Sequence, residues 1–256
     1  MKALALLAGA LLSVTATPLL AAGAAPDFPK PEWSFDGIFG TFDKEQLQRG
    51  LKVYKEVCAA CHSMQLMSYR NLSMLGYSED EIKAYAATFT VTDGPNEQGE
   101  MFERPALPSD RFVSPYPNEQ AARAANNGAY PPDQSLIVKA RDISLADGAS
   151  YIRALLLGYK DAPAGFTVPE GKHYNAYMPG HVIAMAPPLS DGVVTYEDSS
   201  PETAEQYATD VAAFLAWASE PHMEERKQTG VRVVLFLLVL TGMLYAAKRK
   251  VWARVK

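Results

Sequence analysis

Val57-Cys58-Ala59-Ala60-Cys61-His62-Ser63 decides how the chain is read, because Cys58, Cys61 and His62 spell the Cys-x-x-Cys-His pattern that attaches c-type haem. Two thiols three residues apart lie on one side of a helical turn. Both can therefore add to the vinyl groups of one porphyrin, while the adjacent imidazole reaches the iron as an axial ligand. A redox dithiol would sit at the start of a helix in a strand-helix pattern, and a zinc site would need two more soft ligands. The chain has only 2 Cys, so haem is the better reading, and no disulfide is left to staple the fold.

Upstream of this motif, Leu47, Leu51, Tyr54, Cys58 and Cys61 recur at helical spacing. Asp43 stands as N-cap, with Gln46 at the capping-box position. The motif is expected at the end of an amphipathic helix whose apolar face points to the core. Residues 27–42, rich in Pro, Gly and aromatics, read as an extended arm laid on the domain. Residues 1–24 read as a signal peptide: Met1-Lys2, an apolar run over 3–12, and small residues that place cleavage after Ala22 or Ala24.

Downstream, Ser78 and Glu81 form a capping box before a short helix to about Ala87, and residues 91–117 read as a long surface loop. Asn118 caps a helix over 119–127 that Gly128 ends. Pro131-Pro132 forms a rigid turn into a helix over 134–140, and Asp147 caps another that ends near Gly158. Of the 18 Pro, 12 fall between residues 91 and 190, so the middle of the chain is loop that the apolar surface of a haem would order. Residues 193–196 suit a short strand. Ser200-Pro201 then opens a helix buried along Tyr207, Val211, Phe214, Leu215 and Ala218, and Pro221 ends it.

Residues 25–225 carry 29 acidic and 15 basic side chains, a net of −14, and the other nine basic residues lie at the two ends. Such a surface excludes a nucleic-acid partner and leaves a basic protein or plain solvation. Residues 233–247 hold no charge, and the stretch lengthens to 229–247 if Arg232 snorkels to the interface. Lys248-Arg249-Lys250, Arg254 and Lys256 follow at once. By the positive-inside rule residues 229–247 span the cell inner membrane once, residues 248–256 are a cytoplasmic basic tail, and residues 25–227 form a periplasmic domain.

What fills the second axial position of the iron separates electron transfer from catalysis. Among the 9 Met, only Met74, Met101, Met178 and Met185 are neither in the signal, in or beside the membrane stretch, nor too near His62. Met185 lies in Ile183-Ala184-Met185-Ala186-Pro187-Pro188-Leu189, where prolines stiffen the backbone and small alanines let it approach a porphyrin. Met178, followed by Pro179, is the second choice, and His173, His181 and His222 stay open as alternatives.

Leu47-Gln48-Arg49-Gly50, Val53-Tyr54-Lys55-Glu56 running into the attachment motif, Ala121-Ala122-Arg123-Ala124-Ala125-Asn126-Asn127-Gly128, Pro131-Pro132-Asp133, Ile183-Ala184-Met185-Ala186-Pro187-Pro188 and Trp217-Ala218-Ser219-Glu220-Pro221 resemble the cytochrome c1 family. Its members are the haem subunits of quinol-cytochrome c reductase, the cytochrome bc1 complex. The resemblance implies a mainly α, cytochrome c-type haem domain with long loops plus one C-terminal transmembrane helix. It also implies one covalently attached haem c on Cys58 and Cys61, with His62 and Met185 as iron ligands. By the same resemblance Arg141 meets a haem propionate, and Asn126, Pro132, Ile137 and Tyr151 line the pocket. Electrons would pass from a Rieske iron-sulfur protein to a soluble cytochrome c beside a cytochrome b subunit, which would carry the quinol chemistry. A membrane-anchored cytochrome c of another reductase or oxidase is the alternative, and a haem enzyme would need an open iron position.

Overall fold

The computed structural model describes residues 27–142 and 144–254, so the signal peptide expected over residues 1–24 lies outside the described residues. Two crossing helices organise the domain. Helix α1 (Lys44–Glu56) turns Leu47, Leu51, Val53 and Tyr54 inward, and they meet a later helix, α5 (Ala204–Ser219). The crossing is close because Gly50 lacks a side chain: a Cβ there would fall 2.2 Å from the Asp210 carbonyl oxygen and 2.6 Å from Phe214 Cβ. Asp210 itself is buried beside the crossing. Its carboxylate accepts from Arg49 Nε at 3.0 Å, Tyr196 Oη at 2.9 Å and Gln206 Nε2 at 2.9 Å, so the buried charge is paired and hydrogen-bonded.

Asp43 caps α1 as expected, accepting from the Glu45 and Gln46 amides, but the return arm of the capping box is not made. The Gln46 side chain donates instead to Asp210 at 3.3 Å. Helix α5 begins at Ala204, because Thr203 accepts from the Gln206 amide as N-cap and leaves Ser200-Pro201 outside the helix. It is buried nearly all round from Tyr207 to Ser219 rather than along one stripe. Ala208, Ala212, Ala213 and Ala216 let both α1 and α4 (Leu145–Leu157) pack on it.

The capping box at Ser78 and Glu81 is complete and opens α2 (Glu79–Ala86). Asn118 caps α3 (Glu119–Ala125), which stops short of Asn127. The cap of α4 is Ser144, whose hydroxyl accepts from the Asp147 amide. Asp147 is thus the third helical residue, where a negative charge faces the positive end of the helix dipole. The helix expected over 134–140 is a run of turns. Tertiary ties override local propensity there: the Gln134 amide donates to Ser63 O at 2.8 Å, and Val138 O packs so closely on Gly148 that a Cβ would sit 2.4 Å from it.

The region read as loop over 91–117 contains an antiparallel hairpin, β1 (Thr90–Asp93) with β2 (Phe102–Pro105). Arg104 on β2 closes it, pairing with Asp93 and, at 2.6 Å, with Asp110. Residues 193–196 form no strand, because their polar groups bond to side chains: Val194 to the Tyr207 hydroxyl, and the Tyr196 amide to Glu202 at 3.0 Å. The second small sheet is β3 (His173–Tyr174) with β4 (Val182–Ile183), two residues each and too short to leave a period in the sequence.

Helix α6 (Met223–Trp252) is long and apolar enough to cross a membrane, and its most apolar window, of mean hydropathy 2.0, is not buried against the domain at all. Its 30 residues at a rise of ~1.5 Å give about 45 Å. The first turns are clamped to the domain. Met223 is buried, Glu224 Oε1 accepts from the Phe42 amide at 2.8 Å, and Lys227 Nζ donates to Phe35 O at 2.6 Å and Gly40 O at 3.2 Å.

Candidate haem site

At the end of α1 the chain tightens into a 3-10 turn over Cys58–Ala60, where the Cys61 and His62 amides donate to Cys58 O at 3.1 and 2.9 Å. Burial, helped by Cys61 nearby, pushes the Cys58 thiol up to about 12. A redox dithiol works through a thiolate of low pKa, so this environment is wrong for one. Among the described residues no group of three or more His, Cys, Asp or Glu side chains is placed to hold a metal ion.

His62 Nδ1 lies 2.8 Å from Pro132 O. A carbonyl only accepts, so Nδ1 carries the hydrogen and Nε2 keeps its lone pair free. Burial lowers the proton affinity of the ring, against the opposing pull of the Pro132 carbonyl. The imidazole is therefore neutral and fixed in one tautomer, the form that binds iron.

Pro132 is held in turn by its neighbour. Asp133 Oδ2 accepts from Ser63 Oγ and from the Gln65 amide, each at 2.8 Å, and Oδ1 accepts from the Ser135 amide at 2.9 Å. Burial would raise this carboxyl, but its hydrogen bonds outweigh that and hold it below the usual range. Sequence reading saw only a rigid turn here and missed the clamp. The sole signal was an Asp directly after two prolines, a residue that bonds readily to the amide two positions on.

Ile137 and Tyr151 are buried, and Tyr151 meets Phe28 edge-on at 5.6 Å. Arg141 is exposed, and its positive charge partly offsets the burial that raises the Tyr151 phenol. Asn126 is half-buried at the end of α3, with Nδ2 donating to Ala122 O at 2.7 Å. Among the methionines, Met101 is exposed on the hairpin, and Met74 packs on the core in the 3-10 helix Tyr69–Leu75.

Met185 is half-buried, and its carbonyl accepts from Tyr159 Oη at 3.1 Å just beyond α4. Met178 is also half-buried, with its amide donating to Asn175 Oδ1 at 3.2 Å and its carbonyl accepting from the His181 amide at 2.8 Å. His181 stacks on Tyr174 at 5.5 Å, and His222 pairs with Glu225 at 3.2 Å on the surface. Two thiols, an imidazole with Nε2 free and a thioether are the donor types that a covalent haem requires.

A helix that delivers a Cys-x-x-Cys-His turn, in a domain clamped to a helix fit for one membrane pass, defines a membrane-anchored c-type cytochrome. The sequence model of the Cytochrome C1 family matches residues 33–255, and the chain belongs to that family, which carries covalently bound haem c. It is 48% identical over 243 residues to cytochrome c1 of Rhodospirillum rubrum, covering 89% of this chain and 88% of the relative. The mitochondrial cytochrome c1 1, heme protein, of Arabidopsis thaliana is 52% identical over 234 residues, 91% of this chain and 73% of that protein. A protein of Bradyrhizobium diazoefficiens named cytochrome b/c1 is 51% identical over 243 residues, 88% of this chain, but the chain spans only 35% of its length.

Proposed function

We propose that the chain is the electron-transfer subunit of a quinol-cytochrome c reductase, taking single electrons from a Rieske iron-sulfur protein and passing them to a soluble cytochrome c. Cys58 and Cys61 would hold the haem by thioether bonds, and His62, through Nε2, and Met185 would be its iron ligands. When bound, haem c supplies a one-electron ferric/ferrous couple. The chain fixes the axial imidazole through Pro132 and Asp133, surrounds the porphyrin with apolar side chains such as Ile137 and Tyr151, and offers Arg141 to a propionate. With His62 and Met185 both spent on the iron, no position would be left for substrate, and a soft thioether would favour ferrous iron and raise the potential.

The observation that carries this reading is the 2.8 Å bond from His62 Nδ1 to Pro132 O, which leaves Nε2 free and supports its use as the iron ligand. Membership of the cytochrome c1 family supports the electron-transfer role, and a relative named for both cytochrome b and cytochrome c1 supports a cytochrome b partner. The net charge of −14 over residues 25–225 supports a basic acceptor steered to the haem domain. The basic tail after residue 247 supports a periplasmic domain and a cytoplasmic C-terminus.

The test is to solubilise membranes containing the tagged full chain and add quinol to what purifies. A b-type cytochrome and an iron-sulfur protein should accompany the chain, and its haem should be reduced by quinol. Purification with an oxidase instead, or carbon monoxide binding to the ferrous haem, would overturn the assignment.

A further inference from the structure

Of the large apolar side chains among the described residues, Phe39 is the most exposed at 84%, and Ile38 beside it is 69% exposed. Their exposure is built in. Gly37 turns the chain with φ +67°, its amide donates to Asp36 Oδ1 at 2.7 Å, and a Cβ on Gly40 would fall 1.9 Å from Asp36 O. The Thr41 amide closes the turn on Ser34 O at 3.0 Å. Lys227 then ties the turn to α6 through Phe35 O and Gly40 O, and Glu224 ties it through the Phe42 amide. A rigid hairpin thus holds two apolar side chains away from the core.

Between this hairpin and α6 runs a groove of about 380 Å³, walled by Ile38 and Phe39 on one side and by Gln228, Val231 and Arg232 on the other. The charge-free stretch of α6 begins one residue further on, at Val233. With the first turns of α6 held by the domain, the 229–247 stretch at a rise of ~1.5 Å gives about 28 Å, close to the ~30 Å of a hydrocarbon core, which sets Gln228 at the headgroup boundary on the domain side and leaves Arg232 to snorkel up to it. Glu224 and Lys227, which also line the groove, are spent on backbone partners. The exposed Arg232 and the Gln228 amide are left to face it, a donor set suited to a phosphodiester.

Resting on the reading of α6 as the membrane span, we propose that the Ile38-Phe39 hairpin is a second membrane contact. It inserts at the headgroup-acyl boundary beside α6, with a phospholipid headgroup seated in the groove on Arg232 and Gln228. The occupant is lipid because the groove is continuous with the span and its free polar groups are cationic or amide. Two contact points instead of one fix the height and tilt of the haem domain above the membrane.

The haem occupies both native cysteines, so a single introduced cysteine can carry a spin label. Phe39→Cys, Leu238→Cys and Glu97→Cys would each be labelled in the haem-loaded full chain, together with whatever subunits purify with it. The samples are reconstituted into phosphatidylcholine-phosphatidylglycerol bilayers and kept ferrous, so that low-spin iron does not relax the label. The ratio of accessibility to oxygen over an aqueous nickel chelate should be several-fold higher at 39 than at 97, approaching the value at 238. A ratio at 39 equal to that at 97 places the hairpin in water and overturns the proposal. Exclusion of both reagents at 39 means that protein covers it, and overturns the proposal as well. If 238 itself reads as aqueous, the span falls, and the proposal with it; a deep 238 beside an aqueous 39 rejects the hairpin alone.

Discussion

Asp133 organises the approach to His62 from a distance in sequence that no local pattern reveals. Its partners Ser63 and Gln65 lie 70 and 68 positions away, so the Pro131-Pro132-Asp133 turn was legible while its purpose was not. The Cys-x-x-Cys-His motif was legible because thioether chemistry demands fixed spacing, whereas a clamp made of hydrogen bonds between distant loops demands none. Asp133→Ala leaves the Gln65 and Ser135 amides and the Ser63 hydroxyl without their acceptor, at a cost of about 1 kcal/mol for each part-buried bond lost and less for the exposed Gln65 amide. Denaturant unfolding of the haem-loaded protein should show that loss, with part of it restored in Asp133→Asn, which keeps one acceptor oxygen.

Helices announced themselves by apolar spacing, but their ends were set by side chains competing for the first amides. Thr203 took the cap expected nearer Ser200, and Ser144 took the one expected at Asp147. The α1–α5 crossing was foreseen as two apolar faces, yet the residue that permits it is Gly50, whose need is visible only once Asp210 O is set against it. Gly50→Ala should force the helices apart and destabilise the domain by about 1–3 kcal/mol or more, as overpacked cores do, read from the unfolding midpoint.

At the joint between α5 and α6, Glu220 accepts from Arg226 and, at 3.2 Å, from Lys139. Burial works against the charged carboxylate there, but these bonds prevail and hold the group below the ordinary Glu value. A depressed folded pKa contributes stability above the unfolded value of ~4.3 and loses it as pH falls through the folded value. Glu220→Gln should therefore be less stable than the parent at about pH 6, and the difference should shrink on acidification toward about pH 3. A gap that widened with acid would contradict the pairing.

At the scale of the whole molecule, a haem domain and a membrane helix share one continuous element, since α6 begins inside the domain at the buried Met223. The span was plain in the sequence from its missing charges and basic flank. The clamp was hidden, because Glu224 and Lys227 look like solvated surface until Phe42, Phe35 and Gly40 are found against them. A chain stopped after Lys227 keeps every one of these bonds and should be released from membranes as a folded, haem-loaded domain. One stopped after Glu220 should be recovered poorly, which fractionation with haem staining would measure. The central claim is a haem closed on both faces by His62 and Met185, and the far-red thioether-to-iron absorption of the oxidised full chain tests it most directly. The band should be present in the parent and in Met178→Leu, and absent in Met185→Leu with a lowered reduction potential. A band that survives Met185→Leu, or that the parent never shows, would contradict the account.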